Sequence, residues 1–238
     1  MIADQVPIPP SSDEESSDES IHSGEPIAAY EEPAAELTIT EVDEITKHLE
    51  LVCFGEAHRY KRGFVEGGVW IFLGCMRCGG VAVSTRNEHN IAAVKKLNEV
   101  MKRYAAPAGL KYYTSMAINM NTTSQWQKDK NHGDSAIMIF GNFTQGGEFV
   151  MKNSEGIPQK IDLLNKMLVF NGKDEHMSEE YSGPDVPTWR CSVVFFCHPQ
   201  YNSCKERAWL EELGFVFPPP EVSVQLHSAS GASSPPLP

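Results

Sequence analysis

The sequence predicts an α+β, mainly β fold: a jelly-roll core with flanking helices. Three observations predict it. Between residues 111 and 198, short β-type runs follow one another with turn residues between them. The runs lie too close together for crossover helices, so the strands must pair antiparallel. Upstream of them, apolar residues recur every three or four positions, which is the helical period.

Each element has its own signal. Thr38 precedes Glu41 at capping-box spacing, and Val42, Ile45, Leu49 and Val52 then share one helical face. Residues 69–73 and 81–84 read as strands around the glycine-rich turn that follows Cys75-Met-Arg-Cys78. Ile91, Val94, Leu97, Met101 and Tyr104 make 88–104 an amphipathic helix, which Pro107 stops. Strands are then expected at 112–119, 136–140, 148–151, 157–161, 167–170 and 191–197. The breaks between them fall at Gly141-Asn142, Gly146-Gly147, Ser154-Glu-Gly156, Asn171-Gly172 and Ser182-Gly-Pro184. A second capping box, Ser203-Cys-Lys-Glu206, opens a short helix through Trp209, Leu210 and Leu213 that Gly214 closes.

Charge divides the chain unevenly. The 238 residues carry a formal net charge of −12. Residues 1–50 hold 14 acids and one base, Lys47, and the rest holds 18 acids and 19 bases. The acidity therefore belongs to a tail, and the folded part is near neutral. Residues 1–36 are expected to be a disordered acidic tail, because such a composition cannot offset its ordering entropy. Residues 37–217 are expected to form one domain, and 218–238 a disordered Pro- and Ser-rich tail. No secretory signal or membrane span is visible, so an intracellular protein with reduced thiols is expected. A single Cys-x-x-Cys, Cys75 and Cys78, lacks the second pair that a structural zinc site wants.

His132-Gly-Asp134 is the first candidate for chemistry. An imidazole and a carboxylate at i and i+2 suit a divalent first-row metal at a strand end. The pattern alone is weak, since His48-Leu-Glu50 matches it within the first helix. Context separates the two. His132 lies between β-type runs, and His176 follows 42 residues after Asp134, just past the Asn171-Gly172 turn. Arg190 comes 14 residues after His176, at the head of the most apolar strand. An arginine entering such a strand needs an anion or solvent at its head.

This ordered set resembles the double-stranded β-helix dioxygenases that use iron(II) and 2-oxoglutarate. Residues 131–149 are similar to the TET/JBP branch, through the His-x-Asp motif, the following Gly141 and Gly146-Gly147, and Ser192 two residues past Arg190. The resemblance covers about 112–197. It implies Fe(II) on His132, Asp134 and His176, a 2-oxoglutarate cosubstrate held by Arg190 and Ser192, and O2 as oxidant. It also implies oxidation of a prime substrate, in the TET/JBP branch a methylated pyrimidine base in nucleic acid. The cysteine-rich zinc region of animal TET enzymes has no counterpart here. Asn119, Asn121 and Trp126 precede the metal motif and are candidates for substrate contact, with strand-edge polarity and packing as the plainer roles. Two other readings stand beside this one: a protein side-chain hydroxylase of the prolyl type, and an inactive metal-binding β-fold that serves as an interaction module. The acidic tail is a candidate dock for a basic partner. Nucleic acid as partner wants a basic face, which Lys95, Lys96, Lys102, Arg103 and Lys111, or Lys128 and Lys130, would have to supply.

Overall fold

The computed structural model describes residues 34–54, 64–77 and 81–220. Its first part contains β1 (Ala35–Glu36), α1 (Ile39–Glu50), β2 (Phe64–Arg77), β3 (Val81–Val83), a 3₁₀ turn (Thr85–Asn90) and α2 (Ile91–Ala105). Then come β4 (Ser115–Thr122), β5 (Ser124–Gln127), β6 (Ser135–Gly141), β7 (Gln145–Gly146), β8 (Phe149–Lys152) and β9 (Pro158–Ile161). The chain closes with β10 (Lys166–Phe170), β11 (His176–Ser178), β12 (Tyr181–Ser182), β13 (Arg190–Phe196) and α3 (Arg207–Glu212). Seven strands form one sheet in the order β1-β10-β6-β13-β4-β2-β3, four form a second in the order β5-β11-β8-β9, and β12 pairs with β7. All of these strand pairs are antiparallel.

Period-two alternation in the central strands builds two cores. On β6, Ala136, Met138 and Phe140 face one cluster, while Ile137 and Ile139 face the other. The first cluster joins the large sheet to the helices through Ile45, Leu49, Val94, Leu97 and Met101. The second lies between the two sheets and includes Phe149, Met151, Ile161 and Phe170. Each fully buried side chain of this size contributes about 1.5–3 kcal/mol over its exposed state. On β13, Cys191, Val193 and Phe195 enter the first cluster, so Arg190, Ser192 and Val194 point between the sheets.

The helix signals meet mixed outcomes. Thr38 caps α1: its hydroxyl accepts from the Glu41 N–H, and the Glu41 carboxylate accepts from the Thr38 N–H at 2.9 Å. Gly214 ends α3 at φ +97°, in the left-handed region that glycine tolerates. The second capping box is corrected. Ser203 ends a 3₁₀ turn (Tyr201–Ser203), and α3 begins after Glu206 with no side-chain cap. Strand β4 lies three residues later than expected, because polar Asn119 and Asn121 mask its end. Ala35 and Glu36 pair with Met167 and Lys166, so the sheet begins before residue 37. Residues 1–33 and 221–238 lie outside the described residues, as does Cys78. Cys53, Cys75, Cys191, Cys197 and Cys204 are free thiols. Among the described residues, no helix is long and apolar enough to cross a membrane.

Candidate functional site

A cavity of about 190 Å³ opens between the two sheets. That is below the roughly 300–1,000 Å³ of sites for drug-sized molecules, so it suits a small occupant. Phe72, Ala117, Ile137, Phe149, Phe170 and Val194 give it apolar walls. Its polar lining includes Asn119, Gln127, Asp129, His176, Arg190 and Ser192.

Arg190 is 1% exposed, at the head of β13. Its Nε donates to the Gly147 carbonyl at 3.1 Å and its Nη1 to the Thr122 carbonyl at 3.5 Å. Its Nη2 is buried with no partner. Burial pulls the guanidinium down to about 10, which still leaves it charged at neutral pH. A buried charge with an unmade hydrogen bond is costly, and an anion in the cavity would satisfy it. Ser192 lies on the same face. Its hydroxyl accepts from the Asn119 amide at 3.3 Å, and the Asn119 carbonyl oxygen is itself buried without a partner. The Gly146-Gly147 turn positions the clamp. Gly147 sits at φ +79°, and a Cβ there would stand 2.7 Å from the Phe143 ring.

His176 is 3% exposed, at the start of β11. Its Nδ1 lies 2.8 Å from the Asp174 carbonyl, which can only accept, so Nδ1 carries a proton. In the neutral ring the lone pair is then on Nε2. Nε2 lies 3.4 Å from Gln127 Nε2 and 3.7 Å from Asp129 Oδ2. Gln127 is the cross-strand partner of His176 in the β5–β11 pair. Just past β5, the Asp129 N–H donates to the Gly172 carbonyl at 2.7 Å, and its Oδ2 accepts from the Asn131 amide at 3.3 Å.

The structure does not bring His132 and Asp134 into the cavity with His176. His176 lines the cavity, whereas His132 and Asp134 are exposed and take no part in its lining. The His132 ring lies 5.1 Å from Tyr201, and the backbone N–H of His132 donates to the Cys197 carbonyl at 2.9 Å. Among the described residues, no three His, Cys, Asp or Glu side chains are grouped to hold a metal. The i, i+2 pair that reaches the cavity is Gln127-Lys-Asp129, five residues upstream. Nothing in a glutamine's type signals a ligand position. What signals it is the register of β5 against β11, which the sequence does not print.

The other candidates divide. Asn119 lines the cavity. Asn121 does not: its side-chain carbonyl accepts from the Arg190 N–H at 3.0 Å and from the Tyr181 hydroxyl at 3.1 Å. That makes it a brace for Arg190. Trp126 is also absent from the lining, and Lys152 Nζ stands 4.9 Å over its ring.

No family model matches the sequence, and no curated protein matches it. Solved structures do match. A Burkholderia pseudomallei oxidoreductase of the 2OG-Fe(II) oxygenase family aligns with a TM-score of 0.51 and 15% identity, over 65% of this chain and 78% of that one. NgTET1 in complex with 5mC DNA gives a TM-score of 0.48 and 18% identity, over 68% and 69%. A Trichoplax adhaerens prolyl hydroxylase bound to a peptide gives 0.41 and 15%, over 71% and 80%. The fold is that of the 2OG-Fe(II) oxygenases. The jelly roll expected from the sequence is therefore a double-stranded β-helix, with the cavity between its two sheets.

The residues present fit the two groups of this fold unequally. The unpartnered Arg190 Nη2, with Ser192 beside it, fits a carboxylate. The metal side offers one imidazole, one carboxylate and one neutral amide. That is short of the 2-His-1-carboxylate set that non-haem iron oxygenases use.

Proposed function

We propose that this chain binds 2-oxoglutarate, the cosubstrate of the oxygenases whose fold it has. The observation that carries the reading is Arg190: a charged side chain, 1% exposed, with one nitrogen left without a partner beside a cavity sized for a small acid. The distal carboxylate of 2-oxoglutarate would take Nη2 in a charge-assisted hydrogen bond, and Ser192 would add its hydroxyl. The oxidative half of the reading uses Fe(II) and O2 to couple decarboxylation to oxidation of a prime substrate. It would depend on the metal donors beside His176.

The surface bears on the prime substrate. A polyanion needs a basic face, yet Lys96 pairs with Glu44 at 2.5 Å and Arg103 with Glu41 at 3.0 Å. The acids of α1 thus offset the bases of α2, and Lys128 and Lys130 are the exposed cations next to the cavity-lining Asp129. Of the two substrate readings, a methylated pyrimidine in nucleic acid would draw on Lys128 and Lys130, the basic pair beside the cavity.

Thermal unfolding of the metal-stripped full chain tests the binding reading. At a hundredfold excess over Kd, 2-oxoglutarate should stabilise by about 2.7 kcal/mol, roughly 5–10 °C for a domain of this size. The same concentration of 2-oxobutyrate, which lacks the distal carboxylate, should give little shift. Equal shifts from both acids would remove Arg190 as the anchor.

A further inference from the structure

We propose that Gln127 stands where a second imidazole would complete a metal site, and that the cavity therefore binds its dicarboxylate without firmly holding a divalent metal. This rests on the dicarboxylate reading of the same cavity. The geometry is that of a metal site with one member replaced. His176 presents a lone pair on Nε2, fixed by its Nδ1–H to the Asp174 carbonyl at 2.8 Å, the support that metal-binding histidines receive. Asp129 Oδ2 stands 3.7 Å away. Two donors each about 2.0–2.2 Å from one ion reach that separation at an angle of roughly 115–135°, wider than the right angle between neighbouring octahedral ligands. Two neighbouring ligands would have to close by some tenths of an ångström around an ion.

Gln127 is the third group. It is the Cα partner of His176 across the β5–β11 pair, and cross-strand partners hold their Cβ atoms about 4.5–5.5 Å apart. A side chain at this position therefore reaches whatever His176 holds. Asp129 follows at i+2, the spacing at which both side chains of an extended segment turn to one side. At 3.4 Å, the Gln127 amide nitrogen faces His176 Nε2 and donates toward the lone pair that a metal would use. Glutamine thus removes a strong donor and caps a second one. Its own carbonyl oxygen is neutral and far weaker than imidazole or carboxylate toward a divalent first-row ion.

The consequence is a separation of the two halves of the cavity. The Arg190 half needs no metal to bind a carboxylate. Any oxidative turnover is limited by how seldom a metal occupies the other half. A single substitution at 127 should rejoin the two.

Cobalt(II) titration of the metal-stripped full chain, followed by calorimetry and visible absorption, tests the proposal. Q127H should bind Co(II) at least about tenfold tighter than the original chain, the lower end of what even the loss of a residue supporting a metal ligand usually costs. Q127E, nearly the shape of glutamine but with a carboxylate, should also tighten binding, and it keeps the test open if Q127H fails to fold. Q127A should bind no more weakly than the original chain. A Q127A variant that loses tenfold would make Gln127 itself a ligand and overturn the proposal. So would an original chain that binds Co(II) as tightly as Q127H and Q127E. The metal-free melting shift with 2-oxoglutarate reads the Arg190 half alone, so failure of either half is seen separately.

Discussion

Arg190 concentrates the physics of the site in one side chain. Its fork is held by the carbonyls of Gly147 and Thr122, which leaves Nη2 buried without a partner. Lysine keeps the charge but cannot make the Nε contact while presenting a planar pair of donors. R190K should therefore lose about tenfold or more in 2-oxoglutarate affinity, in line with the roughly 1.5–3 kcal/mol of a hydrogen bond to a charged group. The pH dependence has a definite sign. An anion binds the protonated guanidinium, and burial brings that proton down only to about 10. Affinity should be flat from pH 7 to 9 and fall as pH rises through about 10. A decline already between pH 7 and 8 in a binding titration would implicate another group. That Arg190, Ser192 and His176 would share one cavity was legible in the sequence. A charged residue heading an apolar strand, and a hydroxyl two positions on, mark a buried face with period two. Gln127 and Asp129 were not legible, because His132-Gly-Asp134 offers the residue types of a metal site nearby at the same spacing. Only strand register tells which pair turns inward.

At the level of the element, caps and turns hold the site's frame. The capping box of α1 reaches further than the helix end. The Glu41 carboxylate also accepts from the Tyr104 hydroxyl of α2 at 2.5 Å and pairs with Arg103. T38A should cost about 1 kcal/mol, read as a lower urea midpoint with an unchanged slope. Burial pushes the Glu41 carboxyl up, but hydrogen bonds from Tyr104 and Thr38 and the charge of Arg103 outweigh it, so its proton is held less tightly than usual. A carboxylate lowered in the folded state stabilises above its ordinary range, and that stability is lost as pH falls through the folded value. E41Q should thus destabilise at pH 7, and the difference from the original chain should shrink in acid. Gly147 links turn to cavity. A methyl there would meet Phe143 and strain φ +79° while its carbonyl still holds Arg190 Nε. G147A should weaken 2-oxoglutarate binding as well as stability. Loss of stability alone would mean the turn does not position the arginine. Among the elements, α1, α2 and the apolar strands β6, β10 and β13 could be read from periodicity. Strands β1, β5, β7, β11 and β12 span two to four residues each and lack an apolar alternation to read. Two of these, β5 and β11, carry Gln127 and His176 on the small-sheet side of the cavity.

Across the whole molecule, charge and fold keep separate roles. The acidity lies in the first 50 residues, while the buried arginine of the cavity comes from β13. Removing residues 1–33 keeps β1 and every described residue of the cavity lining in the chain. That deletion should leave 2-oxoglutarate affinity within a few-fold of the full chain, and a larger loss would mean the tail contributes to the site. The double-stranded β-helix supplies the frame: the large sheet rests on the helices and offers Arg190, Ser192 and Asn119, and the small sheet offers His176 and Gln127. The most direct measurement of the central claim is a calorimetric titration of metal-stripped full-length protein with 2-oxoglutarate, beside R190A. Saturable one-to-one binding without metal, weakened roughly ten- to hundredfold in R190A, is the expected result. No binding in the absence of metal, or equal binding by R190A, would contradict it.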